Sequence, residues 1–215
     1  MEIIKFNLAG DWNDLDNTII QKAIEVLKRG GGVIYPTDTV YGLGVDALNI
    51  KAIERLFKIK KRPGTKPVPI IVRDIDMAKK YAYINRAKEK ILNSVWPGKV
   101  TVILPKRDAA PDVLTAGKKT IGIRVSAHPF IRLLMEELDF PITATSANFS
   151  GEPPLSSSFE VIKTFERAYP RPELILDAGD LPENSPSTLL DLSGLKPKIT
   201  RLGPVSKKDL MKMFK

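Results

Sequence analysis

The chain has 215 residues, 43% hydrophobic and 27% charged, with a formal net charge of +9. It contains no cysteine and a single histidine, His128, which excludes disulfides, thiol nucleophiles and the usual zinc sites. The N-terminal MEIIKFNLAGDWND lacks the apolar core of a secretion signal, and no apolar run reaches the ~20 residues of a membrane span.

These limits describe a cytoplasmic protein with one domain over residues 1–215. The excess positive charge suits an anionic partner: a nucleotide, an RNA or a membrane surface. In chain order, Glu2 to Phe6 reads as an edge strand. Asp16 to Arg29 carries apolar residues at Ile20, Ala23, Ile24 and Leu27, the spacing of a helix, and stops at Gly30-Gly31-Gly32. Val33 to Tyr35 is a short buried strand ended by Pro36. Asn49 opens a second helix with Ile50, Ile53, Leu56 and Phe57 on one face, and Val68 to Val72 is a third strand. Asp74 and Asn85 are placed to cap two further helices, the second running to about Val95.

Trp96-Pro97-Gly98 turns the chain into a strand from Lys99 to Leu104. Arg107 to Lys119 reads as a polar loop and Thr120 to Val125 as a strand. Pro129 begins a helix through Leu138, followed by a strand from Pro141 to Thr145. Ser157 and Glu160 have the spacing of a capping box for a helix through Arg167. Strands near Leu174 to Asp177, Thr188 to Leu192 and Lys198 to Leu202 precede a closing helix from Ser206. Alternating strands and helices, then strands in succession, predict an α/β fold with a mixed sheet covered by helices. There is no G-x-G-x-x-G and no P-loop.

The densest run of charge is Arg55 to Lys66, RLFKIKKRPGTK, with six basic residues and no acidic one. Pro63 and Gly64 break the helix that enters it, so its end should be a bent loop suited to a polyanion. The ordinary alternative is a solvated helix end whose lysines complement the dipole. Two other loops hold polar residues that a core does not require: Pro36 to Gly44, PTDTVYGLG, and Ser146-Ala147-Asn148. Each adjoins an apolar segment, so the three together describe an anion-binding cleft on one rim of the sheet. Thr37, Thr39 and Asn148 are equally ordinary as turn residues, Asp38 as a turn aspartate or a base, and Arg124 as a solvated strand residue. His128, at a helix entrance, reads as a local hydrogen-bonding residue.

At these residues the chain resembles the YrdC-like family. The ordered set is YPTDTVYGLG, K-x-R-P at Lys60 to Pro63, WPG before a strand, IRV-x-x-HP, SAN-x-SG and STLLD, from about Gly30 to Arg201. The resemblance implies a twisted, mixed parallel/antiparallel sheet flanked by helices around a basic central cavity, in the short, single-domain form. It implies an L-threonylcarbamoyladenylate synthase, a nucleotidyltransferase that condenses L-threonine, bicarbonate or carbon dioxide, and ATP, with release of pyrophosphate. The product feeds N6-threonylcarbamoyladenosine formation in tRNA, completed by other threonylcarbamoyl-transfer proteins.

Residue by residue, it implies catalytic roles for Lys60, Arg62, Ser146 and Asn148. ATP contacts fall on Arg62, Lys66, Thr120, Ser146 and Arg201, and L-threonine contacts on Thr39, Arg124 and Ser187. Magnesium is expected on the ATP phosphates, with no dedicated metal site in the protein. Two positions depart from the family: Ile71-Val72-Arg73 where some members carry histidine, and Pro154 where some have serine. The other reading is a non-catalytic module that binds double-stranded RNA or tRNA. It makes no use of Thr39, Arg124 and Ser187, and the sequence is poor in aromatics for base stacking, at 7%. No membrane partner is expected.

Overall fold

A computed structural model describes residues 1–6, 17–182 and 185–213. The chain begins with β1 (Glu2–Lys5), then α1 (Asn17–Lys28), β2 (Val33–Tyr35) and β3 (Gly42–Gly44). Asp16, the expected start of the first helix, lies outside the described residues. Helix α1 buries Ile20, Ala23, Ile24, Val26 and Leu27, and Gly30 at φ +77° ends it. That left-handed conformation is open to glycine at little cost.

Next come α2 (Ile50–Ile59), β4 (Ile70–Ile71), α3 (Ile75–Tyr81) and α4 (Arg86–Val95). All three helices have the expected side-chain caps. Asn49 accepts from the Ala52 N–H at 3.2 Å, Asp74 from Met77 at 2.7 Å and Asn85 from Lys88 at 2.9 Å. Each cap stabilises its helix by about 1 kcal/mol. Strand β4 is shorter than the predicted Val68 to Val72. Pro67 and Pro69 have no N–H for the ladder, and Val68 donates instead to Leu114 at 2.9 Å.

The second half contains β5 (Val100–Pro105), α5 (Asp112–Thr115), β6 (Thr120–Arg124) and α6 (Pro129–Glu137). Helix α5 falls inside the predicted polar loop. It is one turn long, too short for hydrophobic periodicity to register. Strands β7 (Ile142–Thr143) and β8 (Thr145–Ser146) replace the single strand expected there. The chain closes with α7 (Ser158–Glu166), β9 (Leu174–Asp177), β10 (Thr188–Asp191), β11 (Lys198–Arg201) and α8 (Lys207–Met213). Ser157 precedes α7 but makes no side-chain cap, so the capping box does not form.

Pairing is mixed, as predicted, but the strands divide into two sheets. One has the order β1-β9-β2-β3-β8 and the other β11-β10-β5-β6-β4-β7. Strand β1 is an edge, parallel to β9. The sheets meet where β7 in one passes to β8 in the other through the single residue Ala144. Around that point Thr143 donates to Val45 at 2.9 Å and Ala144 to Pro69 at 2.7 Å. The Tyr35 hydroxyl donates to the Thr143 carbonyl at 2.9 Å, and its ring lies across β3. A Cβ on Gly42 or Gly44 would come within 2.6 or 2.7 Å of ring atoms, so both glycines are there to admit the tyrosine. Helix α1 packs on α6, α2 on α5 and α4 on α8. One continuous apolar core joins these layers.

Candidate active site

A cavity of about 360 Å³ opens at the junction of the two sheets. Its wall is drawn from β2, β3 and β8 on one side and from β5, β6, β10 and β11 on the other. Among the described residues its lining holds three cations, Arg62, Lys118 and Arg201, and a fourth, Arg124, at 5% exposure; it holds no carboxylate.

Arg124 is the most constrained of these. Its Nε donates to the Gly98 carbonyl at 2.9 Å, Nη1 to Thr39 Oγ1 at 3.1 Å and Nη2 to Asp38 Oδ1 at 2.6 Å. Three of the five N–H groups of a guanidinium are thereby engaged, leaving one on each terminal nitrogen. Burial pushes this guanidinium down, and the Asp38 carboxylate beside it opposes the shift. Asp38 Oδ1 also accepts from Ser126 Oγ at 2.8 Å. Asp38 is therefore the counter-ion of Arg124, and the strand arginine is buried rather than solvated. The WPG motif has its explanation here too. Gly98 supplies the carbonyl that holds Nε, and a Cβ at Gly98 would meet the Val95 carbonyl at 2.8 Å.

Thr37 and Thr39, both buried, stand 2.9 Å apart through their hydroxyl oxygens and line the cavity next to Arg124. Opposite, Ser187 Oγ lies 2.7 Å from Thr101 Oγ1, and Arg201 donates from Nε and Nη2 to the Ser187 carbonyl at 3.2 and 2.8 Å. Burial lowers the Arg201 guanidinium, and the charge of Arg124 lowers it further.

The basic loop and the Ser146–Asn148 loop are one assembly. Lys60 is 1% exposed, and its Nζ donates to the carbonyls of Ser146 and Asn148, the latter at 2.8 Å, with Asn148 Oδ1 at 3.5 Å. Burial, then the nearby Arg62, drive this ammonium down to about 7. Ser146 Oγ donates to Asn148 Oδ1, while Asn148 Nδ2 donates to the Phe149 and Glu152 carbonyls at 2.9 and 2.6 Å. Lys60 and Asn148 do not line the cavity. They sit behind it and set the position of Ser146, which does line it.

Arg62 faces the cavity from a loop that folds back on itself. Its Nε donates to the Lys66 carbonyl at 3.2 Å and its Nη2 to the Pro67 carbonyl at 2.7 Å. Burial lowers its guanidinium. Lys61 at φ +49° turns the chain out of α2, and Pro63 and Gly64 form the expected bend, closed by the Lys66 N–H on the Pro63 carbonyl at 3.1 Å; Lys61 Nζ rests 4.3 Å above the Phe149 ring. Lys60 and Arg62 thus point in different directions instead of converging on one anion. Lys66 is exposed outside the cavity and contributes only its carbonyl, whereas Thr120 lines the wall. His128 is buried, and burial pushes its imidazole down to about 4, so it is uncharged at neutral pH.

Of the positions expected from the sequence, Thr39, Arg62, Thr120, Arg124, Ser146, Ser187 and Arg201 meet on this one cavity. Thr101, Thr115 and Lys118 also line it and were not singled out. Thr101 had a signal, a hydroxyl within the apolar run Val100–Ile103. Lys118 had none.

The family profile for Sua5, YciO and YrdC, described as telomere recombination, matches residues 25–203. The chain belongs to this family. A threonylcarbamoyl-AMP synthase of Pyrococcus abyssi is 34% identical over 196 residues, 91% of this chain and 57% of that protein. The chain therefore spans little more than half of that relative. One from Klebsiella pneumoniae is 31% identical over 83% of this chain and 94% of its own length. The crystal structure of P. abyssi Sua5 complexed with L-threonine superposes with a TM-score of 0.91 at 32% identity. It covers 99% of this chain and 61% of that one. Within the matched segment, Lys60 ties the K-x-R loop to Ser146 and Asn148 by hydrogen bonds, while Arg62, held by its own loop, and Ser146 are turned to the cavity. Among the described residues no helix is long and apolar enough to cross a membrane.

Proposed function

We propose that the chain is an L-threonylcarbamoyladenylate synthase, condensing L-threonine, bicarbonate or carbon dioxide, and ATP. The observation that carries this reading is the uneven charge compensation within the cavity. Arg124 has a buried carboxylate partner, whereas Arg62, Lys118 and Arg201 have no ion-pair partner among the described residues. A neutralised, rigid guanidinium with two free N–H groups suits one small carboxylate. Three uncompensated cations suit a triphosphate. The relatives' names and the L-threonine bound in P. abyssi Sua5 support the same assignment.

In this reading the threonine carboxylate rests on the free edge of Arg124, between Thr39 and Ser187. Its neutral amine attacks carbon dioxide, losing a proton as the carbamate forms. A carbamate oxygen then attacks the α-phosphorus of ATP, the bond to the bridging oxygen breaks, and pyrophosphate leaves. Arg62, with Thr120, Ser146 and Arg201, takes the nucleotide, and the guanidiniums offset charge as pyrophosphate departs. Lys60 and Asn148 act through Ser146. No covalent nucleophile is needed, in keeping with an uncharged, buried His128. ATP enters as its magnesium complex. The lining offers hydroxyls and no carboxylate, so the ion is held by phosphate oxygens and water.

The product supplies tRNA threonylcarbamoylation by partner proteins, and the net positive charge suits an accompanying contact with tRNA or other double-stranded RNA. Incubation with ATP, magnesium, L-threonine and labelled bicarbonate, followed by nucleotide separation, tests the reading. A labelled AMP adduct and pyrophosphate should both require threonine. Absence of a threonine-dependent product from folded protein would overturn it.

A further inference from the structure

We propose that Thr188 and Gly203 are positioning residues that tie the chain leaving β11 to the start of β10, and so hold Ser187 and Arg201 as one unit. The proposal rests on the reading that Ser187 meets the amino acid and Arg201 the nucleotide.

After β11 ends at Arg201, the chain passes directly over the start of β10. A Cβ on Gly203 would come within 2.2 Å of the Pro186 carbonyl oxygen, 2.6 Å of the Thr188 nitrogen and 2.8 Å of the Ser187 carbonyl carbon. All three are backbone atoms, which cannot swing aside as the end of a side chain can. Gly203 lies outside the left-handed region, so a glycine is needed there for close approach and not for conformation. Thr188, fully buried, pins the crossing. Its single hydroxyl hydrogen goes to the Val205 carbonyl at 2.7 Å, and its oxygen accepts the Gly203 N–H at 3.0 Å. Thr188 is itself fixed in the sheet by its N–H on the Lys99 carbonyl at 3.0 Å.

The crossing brackets two residues of the site. Ser187 stands immediately before Thr188, and Arg201 closes the strand that leads to Gly203. Nε and Nη2 of Arg201 both donate to the Ser187 carbonyl, so one backbone oxygen sets the plane of the guanidinium. The hydroxyl of the same serine is paired with Thr101 at the cavity wall. A shift of the Ser187 backbone therefore turns the arginine and displaces the hydroxyl together. A residue acting on stability alone would leave both ligand affinities intact in the folded protein. Thr188 and Gly203 should move both.

The test is calorimetry on the full chain with L-threonine and with ATP and magnesium, at a temperature where circular dichroism shows each variant folded. Thr188→Val keeps the shape of the side chain and removes both hydrogen bonds. It should weaken each ligand about fivefold, on the scale of a neutral hydrogen bond, and Gly203→Ala should act the same way. Thr188→Ser retains the hydroxyl and should bind both ligands like the wild type. Arg201→Ala, at an exposed residue, should weaken L-threonine about threefold as well as ATP, because Ser187 loses the two donors on its carbonyl. A folded Thr188→Val or Gly203→Ala that keeps both affinities, or loses only one, would overturn the proposal. So would a serine variant no better than valine, or an Arg201→Ala that leaves L-threonine unchanged. Should Thr188→Val and Gly203→Ala not fold, Arg201→Ala decides it alone. A wild type that binds neither ligand would overturn the functional reading, and this proposal with it.

Discussion

Arg124 and Arg62 line the same cavity and are held in opposite ways. Arg124 is anchored through a carboxylate, a hydroxyl and a carbonyl, with its charge matched by Asp38. Arg62 is held only by two backbone carbonyls of its own loop, with its charge unmatched among the described residues. The first arrangement fixes geometry at the cost of net charge. The second keeps the charge and relies on the loop for position. A small zwitterion needs the former and a polyanion the latter, so the two ends of the cavity differ in kind.

The largest effect should come from breaking the anchored end. Arg124→Ala leaves Asp38 buried without its partner and should destabilise the fold by about 3–5 kcal/mol. Adding Asp38→Asn should recover most of that stability in denaturant titrations but not threonine binding. If the double variant binds threonine normally, the guanidinium has no role in the ligand. Next in size is Lys60→Met, which strands the Ser146 and Asn148 carbonyls that Nζ now satisfies. A loss of about 2–4 kcal/mol, with turnover falling as Ser146 loses its support, is expected by unfolding and kinetics.

The same variant sharpens the electrostatic side. Burial holds Lys60 near 7 in the fold against 10.5 as the ordinary value. Between those limits the unfolded chain binds the extra proton, so this residue's contribution to stability rises with pH and is lost as pH falls from 10.5 to 7. The stability difference between wild type and Lys60→Met should therefore grow toward pH 10. A flat difference would mean that the three acceptors around Nζ outweigh burial.

The open end should respond in affinity rather than stability. Arg62→Ala should weaken ATP by about 1.5–3 kcal/mol at saturating threonine, change stability little, and be rescued only in part by Arg62→Lys, which lacks the planar fork. Lys58→Ala, on the exposed part of α2, is the smallest, with no measurable change in ATP affinity. Equal, mild effects of Arg62→Ala and Lys58→Ala would reduce the loop to a solvated charge run.

Legibility followed the range of the interactions. The caps at Asn49, Asp74 and Asn85 are bonds to a residue three positions on, so a short window contains both partners. The failed capping box at Ser157 shows the limit: the spacing was right, but the side chain went unused. The split of the predicted Pro141–Thr145 strand at Ala144 was invisible because the two halves pair with strands far apart in the chain. The burial of Lys60 was invisible as well. A lysine between an isoleucine and another lysine reads as solvent-facing until the Ser146–Asn148 loop folds over it.

The sequence by itself therefore determined the element order, three of the helix caps, the family membership carried by its ordered motifs, and seven of the polar residues that line the cavity. Those depend on neighbours along the chain or on a pattern that spans it. Only the tertiary structure decided which motif residues face the cavity and which stand behind them, and that Asp38 is a counter-ion. Each of those depends on where a donor or carbonyl from another strand comes to rest. Nothing in the local sequence specifies the direction of a hydrogen bond that closes across 85 or more residues.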